Sequence, residues 1–234
     1  MANFKAITTT TFGYKDLTLN LLHSINKNNV NLDVEVFTLD NQSETFFKDH
    51  TRYTNKLNEE NNLELDRLLP YGSENFAKVM IQKLKVIHSS LLDNDYVLYI
   101  DGDIVIKKNI QNYLLNKIQN KDVIFQNDKR PSKPNLINVC AGFMMIKSNK
   151  KMIKFFDPQK IPVKKILGYK THDQTHINRN LSKFKYEILP LDDFPNGPHF
   201  YAFNKTLDPA IIHFNYLDSS EKISKMKEFK EWYL

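Results

Sequence analysis

The sequence is poor in cysteine and in long apolar runs, and each shortage excludes a class of protein. Cys140 is the one cysteine among 234 residues, which excludes an intramolecular disulfide and a zinc site built from several thiolates. A lone thiol fits a reducing compartment, so we expect a cytoplasmic protein. No stretch approaches the roughly 18 apolar residues of a membrane span, and the first six residues lack the apolar run of a secretory signal. We therefore expect no transmembrane segment.

Internal repeats, Gly/Ser linkers and low-complexity tracts are also missing, so no domain boundary is indicated. The composition is 41% hydrophobic and 12% aromatic, which supplies a buried core and excludes intrinsic disorder. We predict a single domain over residues 1–234.

The net charge of +6 favours anionic partners without naming them, and nucleic acid, anionic membranes and phosphorylated small molecules are all compatible with it. The lysines between Lys147 and Lys165 alternate with apolar residues at helical spacing, which is typical of a solvated helix face. No nucleic-acid-binding module is recognisable in the sequence. We therefore expect no nucleic-acid partner and keep a basic nucleic-acid-binding protein as the less favoured alternative.

Short β-branched and apolar runs alternate with helical patterns, which indicates an α/β fold with a mostly parallel central sheet and helices on both faces. The predicted strands are 4–11, 34–39, 96–100, 122–126, 139–146, 186–189 and 210–213. We expect all of them to form one sheet. The predicted helices are 16–26, 74–92, 173–181 and 220–232. Between the second strand and the long helix, residues 41–72 are polar and charge-rich, so we predict irregular structure with short helices and a lid that closes over a bound ligand.

Two aspartates follow the most apolar of the predicted strands. Asp101 and Asp103 flank Gly102 directly after the run 96–100, so both carboxylates should emerge at the carboxyl end of a central strand, where open α/β sheets bind ligands. Two carboxylates at this spacing repel each other and are stabilised by a shared divalent cation. Asp93 and Asp95 have the same spacing but precede the strand, so we interpret that pair as a solvated turn.

Residues 97–105, Val-Leu-Tyr-Ile-Asp-Gly-Asp-Ile-Val, resemble the DxD segment of the nucleotide-diphospho-sugar transferases, which have the glycosyltransferase A fold. The resemblance implies a Rossmann-like domain and a Mn²⁺ or Mg²⁺ ion that bridges the two phosphates of a sugar nucleotide. It assigns Asp101 to the ribose and the metal, and Asp103 to the metal.

Later segments are similar to the same family in the same order, so the resemblance covers most of the chain. In residues 139–146, Gly142 would leave room for the donor sugar. The alternative interpretation of this segment is a buried strand with a Gly bulge. The run beginning Asp173-Gln174 is similar to a helix start whose aspartate faces the sugar and the acceptor, and these two are the candidate catalytic residues. The simpler interpretation of Asp173 is a helix N-cap.

The C-terminal run Ile211-Ile212-His213-Phe214-Asn215 resembles a family segment whose histidine is the third metal ligand. The resemblance assigns His213 to the metal, Asn215 to the donor site and Lys222 to the diphosphate. Two carboxylates with one imidazole suit Mn²⁺, which accepts oxygen and nitrogen ligands.

Four further residues are candidates for the nucleotide. Lys83 resembles a basic position on the helix before the DxD strand, with Lys78 and Lys85 as alternatives. Thr8, Thr9 and Asp40 follow the first two strands, where the family contacts the base and the ribose.

The function expected from these patterns is a metal-dependent glycosyltransferase that moves a sugar from an NDP-sugar, with UDP favoured, to a carbohydrate or glycoconjugate acceptor. The resemblance favours retention, with Asp173 as electrostatic stabiliser or nucleophile and Asp192 or Asp193 as weaker candidates. The donor half is expected in residues 1–105 and the acceptor half in 106–234. A non-catalytic nucleotide-sugar binder remains an alternative. Peripheral contact with a membrane that carries a lipid-linked acceptor is also compatible with the sequence. A nucleotidyltransferase is disfavoured because residues 10–14 are not a Gly-rich phosphate loop.

Overall fold

The computed structural model describes residues 3–48, 55–57, 69, 72–130, 132, 135–167 and 172–234. The strands are β1 (Phe4–Thr10), β2 (Val34–Thr38), β3 (Asn55–Leu57), β4 (Tyr96–Ile100), β5 (Ile104–Ile106), β6 (Val123–Asn127), β7 (Val139–Lys147), β8 (Tyr186–Ile188) and β9 (Ile211–His213). The helices are α1 (Lys15–Lys27), α2 (Asn41–Lys48), α3 (Glu74–Asp93), α4 (Gln111–Lys117), α5 (Lys150–Phe156), α6 (Val163–Leu167), α7 (Asp173–Asn178), α8 (Gly197–Phe203) and α9 (Ser219–Glu228).

Seven strands form the central sheet in the order β3-β2-β1-β4-β7-β6-β8. Four neighbouring pairs are parallel, and β7 runs antiparallel to both β4 and β6. The expectation of a mostly parallel α/β sheet is therefore confirmed, with one reversed strand, β7, next to the central strand β4. Because β7 alone is reversed, β1, β4 and β6 all end at the same edge of the sheet.

Both faces of the sheet are covered, as the apolar run of β4 indicates. Val97 and Tyr99 lie in the core cluster shared with α3, whereas Leu98 and Ile100 lie in the cluster shared with α1 and α4. The alternation of side chains along a strand explains this division, because a strand covered on both faces needs apolar residues at successive positions.

The sequence prediction for residues 210–213 is wrong about their sheet. The pattern predicts a strand of the central sheet, but β9 pairs antiparallel with β5 in a separate two-stranded sheet. The run that contains β5 directly follows the aspartate pair, and its pairing with β9 joins two segments that are distant in sequence. Pairing of this kind leaves no local signal, which is why periodicity missed it.

Two predicted helices are shorter than expected. The helix predicted over 173–181 ends at Asn178, and the one predicted over 220–232 ends at Glu228. Lys230 has a φ of 59°, a left-handed conformation that stops α9.

The segment 41–72 is partly described. Residues Asn41–Lys48 form α2, and Asn55–Leu57 extend the sheet at its edge as β3. The rest of the predicted lid, except Leu69 and Gly72, lies outside the described residues. Within the described part of the chain, no helix combines the length and the apolar character needed to cross a bilayer.

Candidate active site

A cleft of about 920 Å³ opens at the sheet edge where β1, β4 and β6 end. Its wall includes most of the residues that the sequence nominated: Thr9, Lys83, Asp101, Asp103, Gly142, Asp173, Gln174, His213, Asn215 and Lys222. The predicted position at the carboxyl ends of parallel strands follows from the topology, since backbone N–H groups and loops at that edge are free to face a ligand.

Asp101, Asp103 and His213 form a compact group of potential metal ligands. One ligand atom from each lies within 4.8 Å of the others. Register explains how the histidine arrives: in the β5–β9 ladder His213 is opposite Ile104, and the Phe214 N–H donates to the Asp103 carbonyl at 3.0 Å. The two aspartates are close because they are two residues apart in the sequence. The imidazole lies beside them because β9 pairs with β5.

The Asp103 carboxylate lies between two cationic groups. Lys222 Nζ donates to it at 2.6 Å, and His213 Nε2 lies 3.1 Å from its other oxygen. Burial raises the pKa of the Asp103 carboxyl, but Lys222 and His213 outweigh burial and hold that pKa well below its usual range. The same contact raises the pKa of His213 even though burial of the imidazole opposes its charge. The Asp103 carboxylate is therefore ionised, and a metal ion bound here would replace the proton on His213 Nε2.

Gly142 keeps the space around these ligands clear. It faces Asp101 across the β4–β7 pair, where the Asp101 N–H donates to the Gly142 carbonyl at 2.7 Å. A Cβ at position 142 would lie 2.3 Å from Asp101 Oδ2 and 2.7 Å from His213 Cε1. A side chain here would fill the space between the ligand atoms, which is an independent sign that the group accommodates an ion.

We expect Gly142→Ala to lower the affinity for Mn²⁺ by at least about tenfold, because the added methyl must displace Asp101 and His213 at a cost of about 1–3 kcal/mol. Titration of Mn²⁺ with loss of the free-ion EPR signal measures the effect. The thermal stability of the Mn²⁺-free variant controls for general strain. An alanine variant with unchanged Mn²⁺ affinity would contradict this role of the glycine.

Lys83 is a buried cation between two carboxylates. Its side chain is 1% exposed, and Nζ lies 2.9 Å from Asp173 Oδ2 and 3.4 Å from Asp101 Oδ1. Burial lowers the pKa of Lys83, but Asp101 and Asp173 outweigh burial and keep the ammonium charged. Lys83 lines the cleft, whereas Lys78 pairs with Glu74 in solvent. Lys83 connects helix α3 to both the DxD turn and the start of α7.

Asp173 is the buried partner in this pair. Burial raises the pKa of its carboxyl, but Lys83 and His172 outweigh burial and hold that pKa below its usual range. A carboxyl with a depressed pKa stabilises the folded state fully above its unfolded pKa of about 3.9, and this contribution is lost as the pH falls toward the folded value. The carboxylate at the cleft therefore stays ionised at neutral pH.

We expect the difference in unfolding free energy between wild type and Asp173→Asn to shrink by about 1 kcal/mol between pH 5 and pH 3. Above pH 5 the variant should be less stable because it leaves Lys83 with one carboxylate fewer. Urea unfolding at pH 7, 5 and 3 measures the difference. A difference that stays constant down to pH 3 would show that the Asp173 carboxyl is not depressed.

Asp128 lines the cleft but is not among the residues that the sequence nominated. It is 3% exposed, lines the cleft, and its carboxylate accepts hydrogen bonds from four side chains. The donors are Asn138 at 2.9 Å, Gln174 at 2.8 Å, Asn215 at 3.1 Å and the Tyr216 hydroxyl at 2.7 Å. A signal was present, because Asp128 follows the carboxyl end of a predicted strand as Asp101 does.

Gln174 and Asn215 serve this network, and neither amide is free to turn. Gln174 Oε1 accepts from the Ala141 N–H at 3.2 Å while its Nε2 donates to Asp128. Asn215 Oδ1 accepts from the Gly197 N–H at 2.7 Å. Gln174 therefore connects α7 to β7, and Asn215 contacts the start of α8, both beside Asp128.

The candidates for the nucleotide lie in different environments. Thr9 lines the cleft and its hydroxyl is 2.8 Å from the Tyr99 hydroxyl. Thr8 is fully buried. Asp40 accepts from the Ser43 N–H in the first turn of α2 and from the Phe12 N–H in the loop after β1. Neither Thr8 nor Asp40 belongs to the described wall of the cleft.

Comparison with known proteins agrees with this arrangement. A family model described as nucleotide-diphospho-sugar transferase matches residues 33–229. The chain is similar to the UDP-galactose:fucoside alpha-3-galactosyltransferase of Dictyostelium discoideum, with 23% identity over 99% of this chain and 43% of that protein. The chain thus spans less than half the length of this curated relative.

Solved structures show the same fold. The galactosyltransferase LgtC, solved with donor and acceptor sugar analogs, has a TM-score of 0.64 at 12% identity and covers 97% of this chain and 94% of its own. The glycosyltransferase GlyE of Streptococcus pneumoniae has a TM-score of 0.57 at 11% identity, with 100% and 65% coverage. The glycosyltransferase A fold expected from the resemblance is confirmed. Since the family model spans most of the sequence, the chain belongs to the nucleotide-diphospho-sugar transferase family.

Proposed function

We propose that the protein is a metal-dependent glycosyltransferase that transfers a sugar from a UDP-sugar to a carbohydrate or glycoconjugate acceptor with retention of configuration. One observation carries the proposal: Asp101, Asp103 and His213 meet at the carboxyl edge of the sheet, with Lys222 bonded to Asp103. Residues 1–105 then form the donor half, completed by His213 and Lys222 from the acceptor half, 106–234.

The donor set fits a divalent ion. Two carboxylates and one imidazole suit Mn²⁺ and, with fewer protein ligands, Mg²⁺. The cation would hold Asp101, Asp103 and His213 together and act as a Lewis acid toward the diphosphate.

Lys222 is the side chain proposed to stabilise the leaving group. When the anomeric C–O bond of a sugar nucleotide breaks, negative charge grows on the diphosphate, and Lys222 at the cleft wall can neutralise part of it. Its ammonium stays charged because Asp103 raises its pKa, although burial opposes the charge. The positive charge that grows on the sugar would face carboxylates, of which Asp173 and Asp128 both line the cleft.

The donor and the stereochemistry are supported by the relative. The name of the Dictyostelium discoideum protein specifies UDP-galactose as donor and an alpha linkage as product. The galactose of UDP-galactose is α-linked, so an alpha product keeps the configuration. We extend UDP and retention to this chain on that basis, with Asp173 as the proposed electrostatic stabiliser and Gln174 as its neighbour in the catalytic segment.

Calorimetric titration of UDP and GDP, each with and without Mn²⁺, tests the donor site before any acceptor is known. We expect UDP to bind only when Mn²⁺ is present and to bind more tightly than GDP. Incubation with UDP-galactose and Mn²⁺, followed by ¹H NMR of the anomeric proton, then tests turnover and configuration.

The binding experiment and the turnover experiment can each contradict the proposal. Absence of nucleotide binding under all conditions would overturn the transferase proposal and favour binding through the basic surface. Mn²⁺-dependent binding of UDP-galactose that never leads to hydrolysis or transfer, over a panel of sugar acceptors, would favour a non-catalytic nucleotide-sugar binder.

A further inference from the structure

Gln126 contacts the imidazole of His213 from the side opposite the carboxylates. It lies near the end of β6 and is fully buried. Its Oε1 is 2.7 Å from His213 Nδ1, while His213 Nε2 is 3.1 Å from Asp103. Each imidazole nitrogen therefore has a side-chain oxygen as its nearest neighbour, and Nδ1 also lies 3.7 Å from the Cys140 sulfur.

The orientation of the Gln126 amide follows from its other neighbours. The Gln126 Nε2 group lies 2.8 Å from the carbonyl of Pro195 and 3.2 Å from that of Phe194. Backbone carbonyls only accept hydrogen bonds, so the NH₂ end must face them and the oxygen must face His213. This assignment needs no knowledge of hydrogen positions.

The orientation decides which nitrogen of His213 carries a proton. An amide oxygen only accepts, so a bond to Gln126 requires a proton on Nδ1. In the neutral imidazole the lone pair is then on Nε2, which is the nitrogen that faces Asp103.

A break in the β6–β7 ladder makes this contact available. Phe125 pairs with Met144, but the next residue, Gln126, pairs with Cys140. The extra β7 residues between them include Gly142, which faces Asp101. Bulges of this type redirect side chains next to active sites.

We propose that Gln126 is a positioning residue that keeps the His213 proton on Nδ1 and thereby directs Nε2 to the divalent ion. This inference rests on the proposed function, because it assumes that His213 is a metal ligand. Partners that orient metal-binding histidines typically contribute about 10–100-fold to metal affinity.

Two variants of Gln126 distinguish a role in orienting His213 from a role in stabilising the fold alone. Gln126→Met keeps much of the volume but has no acceptor, whereas Gln126→Glu keeps an acceptor toward His213 and loses the amide donors to the two carbonyls. We expect both variants to unfold at lower temperature than wild type. The dissociation constant for Mn²⁺, measured by EPR, should rise about 10–100-fold in Gln126→Met and stay near the wild-type value in Gln126→Glu.

The outcomes distinguish the proposals. Wild-type affinity in Gln126→Met, or equal losses in both variants, would overturn the positioning role while leaving the metal site intact. Wild-type protein that binds no Mn²⁺ even with UDP present would overturn the proposed metal site and this inference with it.

If Gln126→Met does not fold, the wild-type protein still decides the question. Long-range ¹H–¹⁵N spectra of ¹⁵N-labelled protein loaded with Zn²⁺ report which His213 nitrogen is protonated, with His213→Asn for assignment. A proton on Nδ1 supports the proposal, and a proton on Nε2 overturns it.

Discussion

Asp103→Asn is expected to abolish Mn²⁺-dependent binding of UDP and to lower sugar transfer by at least about 10²–10³-fold. The substitution keeps the shape of the side chain but removes the charge that both Lys222 and His213 contact. It therefore deletes a metal ligand and removes the carboxylate that Lys222 and His213 share. Calorimetry of UDP with and without Mn²⁺ measures the loss.

The chain contains a matched control for this variant. Asp93, Asn94 and Asp95 repeat the Asp-x-Asp spacing between the last residue of α3 and the start of β4, and Asp93 is exposed. We expect Asp93→Asn to bind Mn²⁺ and UDP as wild type does. Retention of Mn²⁺-dependent UDP binding in Asp103→Asn, with its fold verified by circular dichroism, would refute the assigned metal site.

Lys83→Met is expected to lower the unfolding free energy by about 3–5 kcal/mol. The substitution leaves the Asp173 carboxylate, whose side chain is 4% exposed, without the cation 2.9 Å away. An unpaired buried charge is much more costly than a missing ion pair, so most of the loss comes from Asp173. Urea unfolding at neutral pH measures the change.

Two further variants make this result specific. Lys78→Met on the same helix removes an ion pair with Glu74. The two side chains are 42% and 70% exposed, so this variant should be about as stable as wild type. The double variant Lys83→Met/Asp173→Asn should recover part of the loss because no charge is left unpaired. A Lys83→Met protein as stable as the Lys78→Met protein would show that Lys83 is not the buried counter-ion.

The local hydrophobic pattern of the sequence was sufficient to predict much of the fold. The apolar run at 96–100 predicted a strand covered on both faces, and Val97 and Leu98 do lie in opposite core clusters. The position of Asp101 and Asp103 followed from that strand, because residues next to each other in sequence stay next to each other in space.

Long-range pairing was beyond the reach of local pattern. Periodicity indicates that a strand is buried but not which strand pairs with it or in which direction. The reversal of β7 and the β5–β9 ladder were missed for this reason, and the network around Asp128 was missed with them.

The sequence by itself determined the α/β class, the buried central strand and the acidic pair at its end. The tertiary structure decided which residues complete the site: the β5–β9 register brings His213 to Asp103, and helix α3 buries Lys83 between Asp101 and Asp173. The physical reason is that hydrophobic periodicity acts over a few residues, whereas an electrostatic site is assembled from segments that are brought together only when the core packs.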